Sequence, residues 1–424
     1  MFLSEQFINK MQLFKKPTPL PSYSLSEIAW LRFKKNKLAL ASLFFIAFLF
    51  VISILGYLIT PDSTPYSNNQ HLELTTKKPG FSQQFLLINK NEPIMHSNLL
   101  KKMLWGEKSK FIYIPIYKYS FIDDKIMIEE FTGSTPNDGE IKLFNTVDII
   151  YPDSNKLINI AENKVHIRYI KSDKNEISIS LENLQNEITR KYIIHKTFWF
   201  GTDCFGRDML SQIMIGTRVS LYIGFISVFI SLLIGVLLGA LAGYSRGWAD
   251  NLIMWFINVI WSIPTLLLVI AISFALGKGF WQVFIAVGLT MWVDVARVVR
   301  GEIIGIREKE YIEATKALGF SNFRIIFKHI LPNVMGSVIV ISAANFAAAI
   351  LIEAGLSFLG IGVQPPMPSW GTMIKEHYYY IVLDMPYLAI IPGLAIMLTV
   401  LSFMIIGNAL RDSIDSKSFN SIIK

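Results

Sequence analysis

The stretch VSLYIGFISVFISLLIGVLLGALAGYS, residues 219–245, contains 27 residues without a charge or a proline. At about 1.5 Å per residue, a helix of this length is longer than the roughly 30 Å hydrocarbon layer of a bilayer. A helix buried in a soluble core does not need so long an uncharged run. The stretch therefore predicts a helix that crosses a membrane.

Five other uncharged runs share this character, and none of the six has an ionisable residue at its midpoint, where a charge is costly. One of them, residues 279–293, is short, but Asp294, Arg297 and Arg300 follow at i, i+3 and i+6 and can extend the helix into the headgroup region. We therefore predict an all-α polytopic membrane protein with six transmembrane helices. The six runs are Leu38–Pro61, Val219–Ser245, Asn251–Gly277, Gly279–Val293, Ile330–Ile352 and Met385–Leu410.

Composition agrees with a membrane protein. Of the 424 residues, 52% are apolar and 17% are charged, whereas about a quarter of an ordinary soluble domain is charged. The formal net charge is +8, and residues 1–60 carry seven basic and two acidic residues. Because the basic residues collect between apolar runs rather than on a continuous face with interleaved aromatics, we expect no nucleic-acid binding. The single cysteine, Cys204, excludes an intrachain disulfide.

Basic residues also predict the orientation. Arg32, Lys34, Lys35 and Lys37 precede the first run, and seven Lys and Arg residues lie between Arg297 and Lys328. By the positive-inside rule both segments are cytoplasmic. We therefore predict a protein of the cytoplasmic (inner) membrane with both termini in the cytoplasm. The first run is too long, and its basic leader too far from the start, for a cleaved signal peptide. We expect it to remain as an anchor.

The sequence divides into five predicted segments, one of which interrupts the membrane pattern. Residues 62–198 interrupt the membrane pattern with Ile-, Tyr- and Phe-rich stretches that predict a β-rich module outside the cell, in which Pro115 favours an edge strand. Its histidines at 71, 96, 166 and 195 are too scattered for metal-ligand spacing, and we expect surface positions for them. The segments are 1–37, cytoplasmic; 38–61, first transmembrane helix; 62–198, inserted extracytoplasmic module; 199–410, core with five transmembrane helices and a cytoplasmic loop at 302–332; and 411–424, cytoplasmic tail.

The cytoplasmic loop contains two predicted helices. Tyr311, Ala314, Thr315 and Leu318 recur at i, i+3, i+4 and i+7 and form one apolar stripe, which Gly319 ends because glycine adopts a left-handed conformation at little cost. Ser321 is a suitable N-cap for a second helix, whose stripe is Phe323, Ile326, Phe327 and Ile330. We expect two short amphipathic helices at a right-angled turn, which suits either a docking surface or a simple link between two spans.

These residues resemble a known family. Glu313-Ala314-Thr315, Gly319 and Ile330-Leu331-Pro332 look like the Glu-Ala-Ala loop of permease subunits of ATP-binding cassette importers, with Thr315 where the family usually has a second alanine. Other stretches resemble the dipeptide and oligopeptide branch, although the family usually has a short external loop in place of residues 62–198. The stretches are residues 201–208, 218–221, 296–300, 353–360, 363–371, 392–395 and 410–412.

The resemblance implies a non-catalytic subunit that binds no cofactor and no metal. The chain has no Walker A sequence, so ATP and Mg belong to partner subunits. The implied partners are a homologous second permease, one or two ATP-binding subunits, an extracytoplasmic solute-binding protein and the lipid bilayer. Glu313 is expected to meet a cation on the ATPase, Ala314 to allow close approach and Gly319 to make the turn. The ATPase-docking residues are Glu313, Ala314, Thr315, Gly319, Leu331 and Pro332.

A second set of residues is expected to be structural or to act in gating. The charged cluster of Asp203, Arg207 and Asp208 is predicted to brace an outer loop or to contact a substrate-delivery protein. Glu353 is expected to end the fifth span as a buried hydrogen-bonding anchor, beside a Gly- and Pro-rich segment that caps the pathway. The full set is Asp203, Gly206, Arg207, Asp208, Arg297, Arg300, Glu353 and Gly355.

The sequence thus predicts a permease that moves short peptides. Nickel or another small solute stays open as a substrate, because related branches share the same motifs. An ion-gradient-driven secondary transporter is the second class, but such proteins show inverted repeats and ionisable residues near the midplane, and neither is evident here. A ligand-sensing receptor is the third class, and it would need a cytoplasmic output domain.

Overall fold

The structure is a computed structural model that describes residues 25–90, 98–133, 135–136, 138–152, 157–161, 164–168, 176–277 and 279–414. The outer parts of the two predicted terminal segments, residues 1–24 and 415–424, lie outside the described residues, as do His96 and the side chain of His166. All statements below refer to the residues described.

Helices form the membrane part of the molecule. Among the described residues, five helical stretches are long and apolar enough to cross a bilayer, and there are six spans if a bent pair of helices counts as one. The helices outside the module are α1 (Leu25–Lys35), α2 (Lys37–Leu55), α6 (Met209–Ser245), α7 (Gly247–Trp261), α8 (Thr265–Leu276), α9 (Phe280–Arg307), α10 (Glu310–Ala317), α11 (Asn322–Arg324), α12 (Leu331–Phe358), α13 (Trp370–His377) and α14 (Tyr387–Ile414).

The third predicted span is not one continuous helix. Helices α7 and α8 meet at an angle of 93°, and the break falls at residues 262–264. Pro264 lacks a backbone N–H, and its ring disfavours the helical conformation at Ile263, which together favour an interruption of the helix at this point. The short fourth run behaves as predicted: α9 continues past Asp294, Arg297 and Arg300 to Arg307.

The second loop helix is also different from the prediction. Helix α11 passes through a π-helical segment, Ile325–Ile330, directly into α12, so that one helical stretch runs from Asn322 to Phe358. Ser321 caps it, since its hydroxyl accepts a hydrogen bond from the Arg324 N–H at 3.4 Å. Only α10 is therefore a separate short helix, and the second predicted helix is the cytoplasmic end of the fifth span.

The inserted module is β-rich, as predicted. Its main sheet is antiparallel with the order β4-β3-β2-β1-β8, and a second, three-stranded sheet has the order β5-β6-β7. Buried Leu86, Ile116, Ile126 and Ile128 form its core with residues from short helices. The elements are β1 (Phe81–Asn89), α3 (Leu99–Trp105), β2 (Phe111–Ile122), β3 (Lys125–Glu130), β4 (Ile141–Asn145), α4 (Thr146–Ile150), β5 (Leu157–Ala161), β6 (Lys164–Arg168), β7 (Glu176–Ser180), α5 (Leu181–Glu187) and β8 (Ile193–Phe198).

The prediction that Pro115 marks an edge strand is wrong. Strand β2 pairs with β1 on one side and β3 on the other, and Pro115 lies opposite Phe85 of β1. On the β3 side, Pro115 falls just beyond the last strand residue, Glu130, where its carbonyl still accepts a hydrogen bond from the Phe131 N–H at 3.0 Å. The missing proline donor is thus placed at the end of a ladder, where it leaves no gap in the sheet.

Residues 62–80 form no strand and pack between the helical core and the sheet, where Leu74 is buried against Phe85 and Phe198. The Asp62 N–H donates to Ser211 Oγ at 2.9 Å, and the Tyr387 hydroxyl donates to the carbonyls of Thr76 and Lys77 at 3.0 and 2.9 Å. Phe81 and Phe198, at the two ends of the sheet region, are paired in neighbouring strands. The chain therefore enters the main sheet at Phe81 and leaves it at Phe198, at adjacent positions.

Helices α6 and α9 form the closest helix pair in the core. A Cβ atom at Gly239 would lie 2.6 Å from the Ala296 carbonyl oxygen, and one at Gly235 would lie 2.7 Å from the Trp292 carbonyl oxygen. The same holds at Gly243, 2.9 Å from the Arg300 carbonyl oxygen. In lipid, small residues at four-residue spacing permit such close packing. These glycines therefore serve a contact within this chain.

We predict that Gly239→Ala destabilises the protein by about 1–3 kcal/mol, because the added methyl group forces two helix backbones apart. Its matched control is Gly301→Ala in α9, where an added Cβ would have no neighbour within 4 Å. The control should be neutral or stabilising by up to about 1 kcal/mol, since alanine favours a helix more than glycine does. Thermal unfolding of the purified protein in detergent measures both, and equal midpoints for the two variants would contradict this account of the α6–α9 contact.

Candidate functional site

A glycine in the left-handed conformation follows the short helix α10 in the loop between α9 and α12. Helix α10 ends where Gly319 takes φ +75°, a left-handed conformation that suits glycine. The Gly319 N–H donates to the Lys316 carbonyl at 2.9 Å, and the Phe320 N–H donates to the Thr315 carbonyl at 3.2 Å. These two bonds form a Schellman motif, which satisfies carbonyls at the helix end. The sequence Thr315–Phe320 thus fixes both the length of α10 and the direction of the chain after it.

The predicted stripe of α10 does not pack as one face. Thr315 is buried, together with Ile312, which the predicted stripe omits, whereas Tyr311, Ala314 and Leu318 are exposed. The Thr315 hydroxyl donates to the Ile312 carbonyl at 2.7 Å, which satisfies its polar group inside the packed side. Helix α10 therefore packs against the rest of the chain through Ile312 and Thr315, and most residues of the predicted stripe are exposed.

Five exposed residues of this outward side and of the start of the next helix make up what we call the coupling face: Tyr311, Ala314, Leu318, Phe323 and Phe327. Leu318 and Phe323 are 72% and 69% exposed, and the rings of Phe323 and Phe327 lie 4.3 Å apart between centroids. The charged side chain of Glu313 is exposed beside it, and no other described residue forms an ion pair with its carboxylate. Leu331 is half-buried, and Pro332 is exposed in the first turn of α12.

Tyr244, near the end of α6, holds the loop in place. Its hydroxyl donates to Asn322 Oδ1 at 2.8 Å, and its carbonyl accepts a hydrogen bond from the Arg307 guanidinium. The Lys316 ammonium lies 5.9 Å from the centroid of its ring. One residue thus contacts the end of α9, helix α10 and the start of α11. Sequence reasoning missed Tyr244, because a tyrosine at the end of an uncharged run is common at a membrane interface.

Arg297 and Arg300 connect α9 to α7. Arg300 forms two hydrogen bonds with Asp250, at 2.6 and 2.8 Å, in the fork geometry that favours arginine over lysine. The Arg297 guanidinium lies 3.7 Å from the centroid of the Trp261 ring, and it donates to Asn258 Oδ1 at 3.2 Å. These contacts hold the first half of the broken third span against the helix that leads into the loop.

At the opposite end of the core, the predicted charged cluster is buried and internally paired. Arg207 Nε donates to Asp203 Oδ2 at 2.5 Å, and Arg207 Nη2 donates to Glu376 Oε2 of α13 at 2.8 Å. Burial alone would lower the pKa of Arg207, but the carboxylates of Asp203 and Glu376 raise it. The cluster therefore closes the turn before α6 and links it to α13, the contacts expected of a loop brace.

Asp208 and Gly206 have separate tasks in this turn. Asp208 caps α6 by accepting a hydrogen bond from the Ser211 N–H at 3.0 Å, and burial raises its pKa against the lowering effect of that partner. Gly206 has φ +70°, and a Cβ atom there would collide with the His71 carbonyl. His71 is itself buried, contrary to the expected surface position, and burial lowers its pKa to about 4. His195 is exposed, as expected.

Glu353 lies inside α12 rather than at its end, because the helix continues to Phe358. Its side chain is fully buried, and Oε1 accepts a hydrogen bond from the Ser357 hydroxyl at 2.7 Å. The Ser357 hydroxyl also accepts from the Val363 N–H at 3.1 Å, which ties the segment after α12 back onto the helix. A Cβ at Gly355 would have no neighbour within 4 Å, whereas one at Gly371 would lie 2.7 Å from Ala354 Cα. The close backbone approach in this region is thus at Gly371 rather than at Gly355.

A second residue that sequence reasoning did not single out is Arg218. It is buried in α6 and donates hydrogen bonds to four backbone carbonyls, two in α2 and two in α3. The sequence did offer a clue to Arg218, because this charge directly precedes the uncharged run 219–245.

Among the described residues, no group of three or more His, Cys, Asp and Glu is arranged to hold a metal ion.

Two family models match this architecture. Residues 235–419 match the binding-protein-dependent transport system inner membrane component, and residues 24–79 match the N-terminal TM domain of oligopeptide transport permease C. The first match contains the loop with the coupling face, and the second contains α1, α2 and most of the segment that packs on the core.

Individual relatives agree with these matches. Over 219 residues the chain is 43% identical to the glutathione transport system permease protein GsiD of Pectobacterium atrosepticum and 44% identical to the dipeptide transport system permease protein DppC of Alkalihalophilus pseudofirmus. The oligopeptide transport system permease protein OppC of Bacillus subtilis is 38% identical over 226 residues. Each match covers 52% of this chain and 72% of the relative. The chain therefore belongs to the binding-protein-dependent inner-membrane permeases of ATP-binding cassette importers, in their dipeptide and oligopeptide branch.

Proposed function

We propose that this chain moves short peptides across the cytoplasmic membrane as one permease of an ATP-driven importer. The relatives above are named for dipeptides, oligopeptides and glutathione, which is itself a short peptide. These names favour a peptide over nickel or another small solute. Membership in a family that depends on binding proteins disfavours the ion-gradient-driven alternative.

The observation that carries the energy-coupling part of the proposal is the coupling face. Four large apolar side chains, Tyr311, Leu318, Phe323 and Phe327, are between 44% and 72% exposed. Burying such a side chain contributes about 1.5–3 kcal/mol, so a partner that covers this face gains substantial binding energy. Exposed charges at Glu313 and Lys316 lie on the same short helix, which favours a protein partner over the lipid interior.

We assign this partner as the ATP-binding subunit, which supplies ATP and Mg because this chain has no Walker A sequence. Glu313 is positioned to meet a cation on it, and Ala314 leaves room for close approach. Tyr244 would pass movement of α10 to α6, since it contacts both sides of the loop. We further propose a homologous second permease, one or two such ATP-binding subunits and an extracytoplasmic solute-binding protein as the complete assembly. This chain would act in it as a non-catalytic subunit without a bound cofactor.

The substrate is tested by uptake into proteoliposomes that contain the assembled importer. We predict ATP-dependent uptake of a labelled dipeptide or tripeptide when the solute-binding protein is supplied outside. Unlabelled peptides should compete, and Ni²⁺ should not. Uptake of Ni²⁺ without uptake of any peptide would replace the peptide assignment while leaving the importer class intact.

The coupling face is tested by Leu318→Glu. Because Leu318 is 72% exposed, the substitution should leave folding unchanged, with a thermal midpoint like that of the wild type. A charge in a buried contact is costly, so we predict that copurification of the ATP-binding subunit and transport both fall at least tenfold. The matched control is Arg411→Glu, an exposed position near the end of α14 at the same end of the helix bundle, and it should retain both activities. Normal transport by Leu318→Glu would refute docking at this face.

The proposed orientation places the loop and both termini in the cytoplasm and the module outside. In a Cys204→Ala background, we predict that Ser120→Cys in β2 reacts with a membrane-impermeant maleimide in intact cells. Ala317→Cys in α10 should react only after the membrane is opened. Both positions are exposed in the chain, so protein burial does not account for a difference between them. The reverse pattern would overturn the orientation.

A further inference from the structure

The short helix α3 of the module leaves its apolar side chains uncovered. Its sequence is LLKKMLW, and none of its seven residues is buried. Leu99, Leu100 and Trp105 are 76%, 69% and 65% exposed. These values are unusual for a folded module that buries Leu86, Ile116, Ile126 and Ile128 completely or nearly so. Exposed apolar side chains grouped in this way mark an interaction surface on the part of the chain that the structure describes.

The exposure does not arise from a loosely attached helix. Arg218 of α6 donates to the carbonyls of Met103 and Leu104 at 2.9 and 2.8 Å, and so holds the C-terminal end of α3. The Glu107 N–H donates to the Ser63 carbonyl at 2.9 Å. Gly106, with φ +75°, lies so close to this segment that a Cβ atom would be 2.8 Å from the same Ser63 oxygen. Helix α3 is thus fixed at one end by two independent contacts.

The same arginine sets the level of α3 relative to the membrane. Arg218 Nε donates to the Ser53 carbonyl at 2.7 Å, and Nη2 donates to the Ile54 carbonyl at 3.2 Å. Both carbonyls belong to the last turn of α2, the helix that forms the first membrane span. One guanidinium therefore touches the end of a span and the end of α3 at once. The C-terminal end of α3 therefore lies beside the end of the helix that forms the first span.

Residue types in and after α3 match a lipid interface. Tryptophan is enriched at the boundary between headgroups and acyl chains, and Trp105 stands at the end of α3 that Arg218 holds. Lys101, Lys108 and Lys110 are exposed and can meet anionic headgroups, while the acid in this stretch, Glu107, is paired with Lys102 at 3.1 Å.

We propose that α3 lies in the membrane interface on the module's side, with Leu99, Leu100 and Trp105 inserted among phospholipid molecules. Phospholipid covers the apolar side chains, and the lysines bind headgroup phosphates. The helix thereby fixes the tilt of the inserted sheet domain relative to the bilayer. The proposal does not depend on which solute is transported, nor on the face of the membrane that carries the module.

The test uses the full chain in its assembled importer, in proteoliposomes of phosphatidylethanolamine and phosphatidylglycerol. In the Cys204→Ala background, a nitroxide spin label is attached to Leu100→Cys or, separately, to Trp105→Cys. Power saturation then compares collisions with oxygen, which concentrates in lipid, and with a nickel chelate, which stays in water. Phe48→Cys, exposed in the middle of α2, is the lipid reference, and Ser120→Cys in β2 is the aqueous reference.

We expect collisions with oxygen to exceed those with the nickel chelate several-fold at positions 100 and 105, as at position 48. A preference for the nickel chelate like that at position 120 would show that α3 faces water and would overturn the proposal. Low collision rates with both reagents would overturn it as well, since they would mean that a protein partner covers the helix.

Discussion

Gly235, Gly239 and Gly243 allow the backbones of α6 and α9 to approach so closely that an added methyl group would meet a carbonyl oxygen at 2.6–2.9 Å. The facing residues Val295, Ala296, Val299 and Ile303 are fully buried by this contact. Because lipid provides no hydrophobic driving force between helices, dense packing of this kind is what holds a membrane bundle together. The positions of the loop after α9 and of the residues at both ends of α6 follow from it.

Helix α6 connects the two functional ends of the molecule. Its 37 residues span about 55 Å at 1.5 Å per residue, from the Asp208 cap to Ser245. Near its start lies the buried cluster with Arg207, further along is Arg218, and near its end is Tyr244. A movement of the loop after α9 against Tyr244 would therefore act on α6. The same helix contains Arg218, which holds α3 of the module. In the proposed function, this continuous helix would link the side that meets the ATP-binding subunit to the side that receives the solute.

Much of this could be predicted from the sequence, because membrane spans are long and apolar and glycine turns have few alternatives. The uncharged runs predict the spans, and Gly319 ends α10 as its conformational freedom suggests. Other features depend on tertiary context. Pro115 is tolerated inside a sheet because its missing donor falls at a strand end, and Pro264 breaks the third span rather than bending it.

The same limit applies to site residues. A stripe at helical spacing shows that α10 is amphipathic, but not which side it packs on; the structure buries Ile312 and Thr315 and exposes Leu318. Tyr244 and Arg218 were not found as site residues because their roles depend on contacts with backbone carbonyls and side chains that are far away in the sequence. Glu353 was recognised as a buried anchor, yet the helix end that was expected there lies at Phe358.

In the proposed function, the coupling face is the surface on which an ATP-binding subunit sits. The most direct test places a photo-crosslinking amino acid at Leu318 in the full-length permease, expressed with its own transport system in intact cells. Irradiation is predicted to yield a covalent adduct whose partner, identified by mass spectrometry, contains a Walker A sequence. Adducts with phospholipid alone, or none to a nucleotide-binding protein, would contradict the account.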